Sequence, residues 1–247
     1  KEYNRKNEIL AEKAEKAGTL GNWLGVLPNA GNEEISKAWD KILINQFHDV
    51  LPGSSIPYQY EVTYNNQELA KNLLNNVQND GLQAIAYKAD TNVDGTPVLV
   101  FNPLSWERSD MVETTVSFAD AVPEQIAVYD GDSLVPSTVT SRDEEKKTAT
   151  IRFQANNLPS VGFKVFNVKS GDGTVETNLS VEENENLFVM ENAFLKVEID
   201  KNTGNIAQVY NKKDGNRPVF ADGYQGNEIH IYKDTGGSSY PAWDLVM

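Results

Sequence analysis

Ala89-Asp90-Thr91-Asn92-Val93-Asp94-Gly95-Thr96 is a polar stretch with no hydrophobic period, and the pattern of apolar residues changes across it. Before it, apolar side chains recur every three or four residues; after it, they alternate. These are the signatures of helix and strand, because a helical turn takes about 3.6 residues and a pleat takes two. The stretch is read as a hinge between a helical domain at 1–90 and a β region at 91–247. The expected fold is α+β and multidomain, a three-helix bundle followed by an antiparallel β-sandwich.

Upstream of the hinge, Tyr3, Leu10, Ala14 and Ala17 fall at helical spacing among Lys, Glu and Asn, and Gly18 offers a stop. Leu27-Pro28-Asn29-Ala30-Gly31 reads as a loop, and Asn32 as the cap of a second helix. Ile35, Ala38, Trp39, Ile42, Leu43 and Phe47 form one broad apolar face of that helix, which should end before Pro52. Leu69, Leu73, Leu74, Val77, Leu82 and Ile85 carry a third.

Downstream, Val112, Thr114, Val116 and Phe118 alternate, as do residues in 148–153 and 194–199, and these are read as strands. Turn chemistry separates them: Asp130-Gly131, the charged loop at 142–147, and Asp200-Lys201-Asn202-Thr203-Gly204, which should close a hairpin onto 206–210. Ser170-Gly171-Asp172-Gly173-Thr174 is a second polar linker and marks a sub-boundary near 170–180.

Composition limits the partners. The 247 residues, 39% of them hydrophobic, suffice for an ordinary core. A net charge of -14 and a pI near 4.6 argue against nucleic acid and anionic membrane, which both recruit Lys and Arg, and leave neutral ligands open. No apolar run is long enough to span a bilayer, and Lys1-Glu2-Tyr3-Asn4-Arg5 is unlike a secretory signal. The absence of cysteine excludes a disulfide framework and fits a reducing compartment, so a cytoplasmic location is expected. The sequence starts without Met inside a helical pattern and stops after the strand-like Ala242-Trp243-Asp244-Leu245-Val246. It is expected to be a piece of a longer protein, truncated at both ends; a homo-oligomer stays open.

The residues with the most chemistry lie in Asn45-Gln46-Phe47-His48-Asp49-Val50-Leu51-Pro52-Gly53-Ser54-Ser55. Neighbours on a regular helix point about 100° apart, but Pro52-Gly53 ends the helix and lets His48 and Asp49 converge. A neutral imidazole is a good zinc ligand, and a neighbouring carboxylate either completes the metal sphere or accepts hydrogen bonds from a sugar hydroxyl. The competing assignment has His48 capping the helix and Asp49 starting a turn. The chain's two histidines are His48 and His230, so a metal site built on His48 needs donors from elsewhere. Trp39, Trp106 and Trp243 are assigned to core packing rather than sugar stacking, and His230, between Ile229 and Ile231, to an exposed strand position. Asp234 and Asp244 carry no role readable from the residues, and Asn178-Leu179-Ser180 is discounted as a glycosylation triplet.

Residues 38–56, from Ala38-Trp39-Asp40 through His48-Asp49 to Ser55-Ile56, resemble the middle-domain signature of glycoside hydrolase family 38, the zinc-dependent α-mannosidases. Phe101-Asn102-Pro103-Leu104-Ser105-Trp106-Glu107-Arg108 resembles the opening of that family's β domain. Glu191-Asn192-Ala193-Phe194-Leu195-Lys196-Val197-Glu198-Ile199, Gly204-Asn205-Ile206, Asn227-Glu228 and Ala242-Trp243-Asp244 continue the likeness in family order. The resemblance implies that His48 is a zinc ligand and that Asp49 lies beside the bound mannose. Gln46-Phe47-His48-Asp49 is similar to the bacterial and cytosolic branch, which lacks the Gln-His-His-Asp form of animal lysosomal and Golgi members. It further implies a retaining α-mannosidase whose other zinc ligands, nucleophile and acid/base lie in an upstream α/β catalytic domain, so that no catalytic residue is expected here. The alternative is a non-catalytic carbohydrate-binding or scaffold module.

Overall fold

In the computed structural model, the described residues are 2–233, 237 and 239. The chain divides into two compact units, Lys1–Val175 and Glu176–Met247.

The first unit opens with three helices, α1 (Glu2–Trp23), α2 (Asn32–Ile44) and α3 (Pro57–Lys88). α1 runs on past Gly18 because this glycine is a packing residue: a side chain there would meet the Ala30 carbonyl and Val77. Gly21 likewise lies against Leu27 and Ala84, and together with Ala11, Ala14 and Ala17 these residues form a buried stripe of small side chains. Its polar continuation toward the N-terminus is Asn7 and Asn4, both buried, where the spacing suggested Tyr3 and Leu10. α2 starts one residue from the expected cap. Gly31 takes the cap position with φ 77, and a Cβ there would sit 2.7 Å from Val77. α3 is longer than the apolar pattern implied, since Pro57 fits the first turn, where no amide partner is needed. Ala38, Ile42, Ala70 and Leu74 close the helical core, with Trp39 half-buried against it and donating from Nε1 to Glu15 Oε1 at 2.9 Å.

Two antiparallel sheets follow. One has the order β1-β7-β3-β4, from β1 (Thr96–Asn102), β3 (Ile126–Asp130), β4 (Ser133–Val135) and β7 (Gly162–Ser170). The other has the order β2-β6-β5, from β2 (Arg108–Ser117), β5 (Ser137–Asp143) and β6 (Thr148–Leu158). Their inner faces make one core, in which Phe153 of β6 and Phe166 of β7 meet at 4.9 Å between ring centroids. The expected alternation holds: Val116 is buried, Val112 and Phe118 pack against it, and Val116 pairs with Ala149. Asp130-Gly131 and the 142–147 loop turn where predicted.

Asn102, at the end of β1, organises the strand-to-strand corner. Its Nδ2 donates to the carbonyls of Trp106 (2.9 Å), Leu158 (3.2 Å) and Pro159 (2.9 Å), and its Oδ1 accepts from Leu104 N. This fastening holds the Trp106 main chain while its indole faces solvent, 59% exposed, so the core assignment of Trp106 is corrected.

The second unit, taken by itself, is a five-stranded antiparallel sheet in the order β12-β11-β10-β9-β8. Its strands are β8 (Ser180–Glu183), β9 (Leu187–Glu191), β10 (Leu195–Asp200), β11 (Ile206–Asn211) and the short β12 (Arg217–Pro218). The predicted β10–β11 hairpin is present. Asp200 Oδ1 accepts from Asn202 N (2.8 Å) and Thr203 N (2.9 Å), and Gly204 supplies φ 75. These amides hold the Asp200 carboxyl below the usual aspartate range, the Thr203 N–H contributing most. His230 is exposed, but residues 229–231 form no strand, and Ile231 is 92% exposed. Alternation became a strand only where a neighbouring strand paired with it. Asp234, Trp243 and Asp244 lie outside the described residues.

Candidate functional site

His48 and Asp49 lie in a turn rather than at the end of a helix. α2 stops at Ile44 because buried Asn45 folds back, its Nδ2 donating to the Lys41 carbonyl at 2.9 Å and its N–H to that of Ile42. The side chain offers the backbone a partner that competes with continued helix, well before Pro52 acts. Val50 N and Leu51 N both donate to the Phe47 carbonyl, at 2.9 and 3.1 Å, which wraps residues 47–51 into a compact turn.

Neighbouring helices hold this turn. Gln46 Nε2 donates to Glu8 Oε1 of α1 at 2.7 Å. The Tyr60 hydroxyl of α3 accepts from Ser55 N (2.9 Å) and reaches the Asp49 carbonyl (3.4 Å), while Ser54 Oγ donates to Asp49 Oδ1 (3.2 Å). The result is convergence: His48 Nε2 and Asp49 Oδ2 are 3.4 Å apart. The imidazole packs on Phe47, 4.2 Å between centroids, and its side chain is 73% exposed. Leu43 and Phe47, expected on a buried face, are exposed, as is Ile44: Leu43 and Ile44 lie on the last turn of α2 and face solvent, and Phe47 falls beyond the end of the helix, beside His48.

At this separation the imidazole nitrogen and the carboxylate oxygen face a common point, where His48 could serve as a metal ligand and Asp49 could accept hydrogen bonds from a hydroxyl group. Among the described residues no group of three or more His, Cys, Asp or Glu converges, so the pair is at most part of a site. His230 belongs to the second unit, where its Nε2 lies 3.5 Å from Glu228 Oε1 and its ring faces Tyr232.

Sequence reading missed the residues that position the pair: Glu8, Asn45, Ser54 and Tyr60. It also missed a buried amide relay in which Asn7 Nδ2 donates to Gln67 Oε1 (2.6 Å) and Gln67 O (3.0 Å), and Gln67 Nε2 donates to Asn4 Oδ1. A signal was available, since Asn4 and Asn7 extend the Ala11-Ala14 stripe at helical spacing.

Residues 1–85 match the family description "alpha mannosidase middle domain", and residues 190–246 match "glycosyl hydrolases family 38 C-terminal domain". Alpha-mannosidase G of Dictyostelium discoideum is 27% identical over 244 residues, covering 85% of this chain and 20% of the relative. The chain thus spans about a fifth of the length of that curated relative. No described helix is long and apolar enough to cross a membrane.

Proposed function

Since the chain belongs to glycosyl hydrolase family 38, we propose that it forms part of a zinc-dependent retaining α-mannosidase acting on terminal α-linked mannose. His48 is the one zinc ligand this chain contributes, and Asp49 is the acidic residue that meets the sugar. The observation that carries this reading is their 3.4 Å approach on a turn braced from both α1 and α3.

In this reading each residue has a limited task. The His48 imidazole presents Nε2 toward Asp49, and its exposed position leaves room for groups from elsewhere in the enzyme. Ser54 engages Asp49 Oδ1, which leaves Oδ2 to face the same point and to accept a sugar hydroxyl. A zinc ion bound there would fix adjacent hydroxyls and help distort the ring. The nucleophile and the acid/base carboxyl come from an upstream α/β catalytic domain, as two carboxyl groups flanking the scissile bond. The cysteine-free sequence fits action in the cytoplasm.

Replacing His48 in the whole enzyme tests the assignment. His48→Ala should lower zinc content and hydrolysis of an aryl α-mannoside together, Asp49→Asn should lower hydrolysis more than zinc content, and His230→Ala should leave both unchanged. Full zinc occupancy and full turnover in His48→Ala would overturn it.

A further inference from the structure

A recess lies against the C-terminal part of the same turn. It encloses ≈ 350 Å³ between Val50-Leu51-Pro52-Gly53 and the facing residues Tyr3, Asn4, Tyr60, Thr63, Tyr64 and Gln67. Its floor is polar and its lip aromatic. Tyr3 and Tyr64 stand at the lip, exposed and edge-to-face, 6.1 Å between centroids. Asn4 and Thr63 lie on the floor, with 5% and 8% of their surface exposed.

The amide relay sets the direction of the free group on that floor. Gln67 Nε2 donates to Asn4 Oδ1, so the Asn4 amide must turn its Nδ2 away from Gln67. Neither Asn4 Nδ2 nor Thr63 Oγ1 has a hydrogen-bond partner among the described residues, although both are buried and both residues line the recess. Leaving two such groups unmatched costs about 1–3 kcal/mol each. They supply a fixed N–H donor and a hydroxyl that can donate or accept.

We propose that this recess binds a neutral, hydroxyl-bearing molecule of monosaccharide size. The lining contains no Lys, Arg, His, Asp or Glu, so nothing there compensates a charged ligand's desolvation. The two unmatched polar groups on the floor match ring or hydroxyl oxygens, and the aromatic rings at the lip match the apolar C–H face of a pyranose. The volume lies at the small end of the range for ligand sites. Neither His48 nor Asp49 lines this recess, and its occupancy does not require metal.

The test is a titration of the ¹⁵N-labelled protein with methyl α-mannopyranoside, methyl α-glucopyranoside and glycerol, without added zinc, followed by NMR. Expected are saturable shifts of the Asn4 side-chain amide and saturation transfer from the tyrosines to the pyranosides. Thr63→Val and Tyr64→Ala should each weaken binding at least about tenfold, a loss of roughly 1.4 kcal/mol. His48→Ala should leave it unchanged, which separates this site from the metal-site reading. Thr63→Val also distinguishes a ligand role from a structural one, because removing an unmatched hydroxyl should leave the melting temperature of the free protein level or higher. The proposal is overturned by no saturable shift with any probe, by binding that survives both substitutions, or by Thr63→Val destabilising the free protein.

Discussion

The backbone of Gly81 on α3 rests against the carbonyl of Ala17 on α1, closer than any side-chain carbon could come. Alanine at 81 would gain about 1 kcal/mol in helix propensity. It would also force the helices apart, and overpacking of this kind costs about 1–3 kcal/mol. Because the obstacle is backbone and not a flexible side chain, the steric cost should win. Gly81→Ala is expected to lower the midpoint of urea unfolding; an unchanged or raised midpoint would contradict the close approach.

Asn102 provides a second test of packing against pattern. It bonds three carbonyls and one amide at a single corner. Asn102→Ala should destabilise by about 1–3 kcal/mol, since buried carbonyls lose their donor. Trp106→Ala, only four residues on, should change stability by about 0.5 kcal/mol or less, because the indole is solvated. Equal losses from the two substitutions would show that the indole contributes as much to the corner as the asparagine does.

Acid should loosen the β10–β11 turn. The folded-state pKa of Asp200 is held below its unfolded value by the Thr203 and Asn202 amides. Its contribution is therefore complete above the ordinary aspartate pKa and is lost as pH falls through the lowered folded value. Amide exchange at Asn202 and Thr203 should report this loss at acid pH, and Asp200→Asn should flatten the dependence. A turn that opens instead as pH rises would reverse the assigned sign.

The chain by itself should be a poor zinc protein. A catalytic zinc site uses three protein ligands and an open position, and His48 with Asp49 supplies at most two. The isolated 247 residues are expected to bind zinc weakly and to leave an activated α-mannoside intact. Stoichiometric tight zinc together with turnover, both abolished by His48→Ala, would mean that these residues carry a whole active site.

Much of the architecture was readable from local chemistry. The change of period across 89–96 located the passage from helix to strand, and Asp200-Lys201-Asn202-Thr203-Gly204 announced its hairpin. Turns of this kind are encoded within a few residues, by a carboxylate that accepts nearby amides and a glycine that accepts positive φ. The signature around His48-Asp49 likewise stood in the sequence, and it pointed to the family whose middle and C-terminal domain descriptions match residues 1–85 and 190–246.

Other features depended on what lies opposite each residue, which a period cannot report. Gly18 has the form of a helix stop, yet it permits contact with Ala30 and Val77, residues distant from it in sequence. Asn4 and Asn7 look like surface residues, yet Gln67 of α3 supplies the partner that makes their burial tolerable. Phe47 continues an apolar stripe, but Asn45 ends the helix first and leaves it exposed beside His48. The sequence by itself determined which residues could form helices, strands and turns, and that His48 and Asp49 are chemically suited to a metal and a sugar. Only the tertiary structure decided that they meet, because their convergence depends on Glu8 and Tyr60, contributed by two other helices, holding the turn in place.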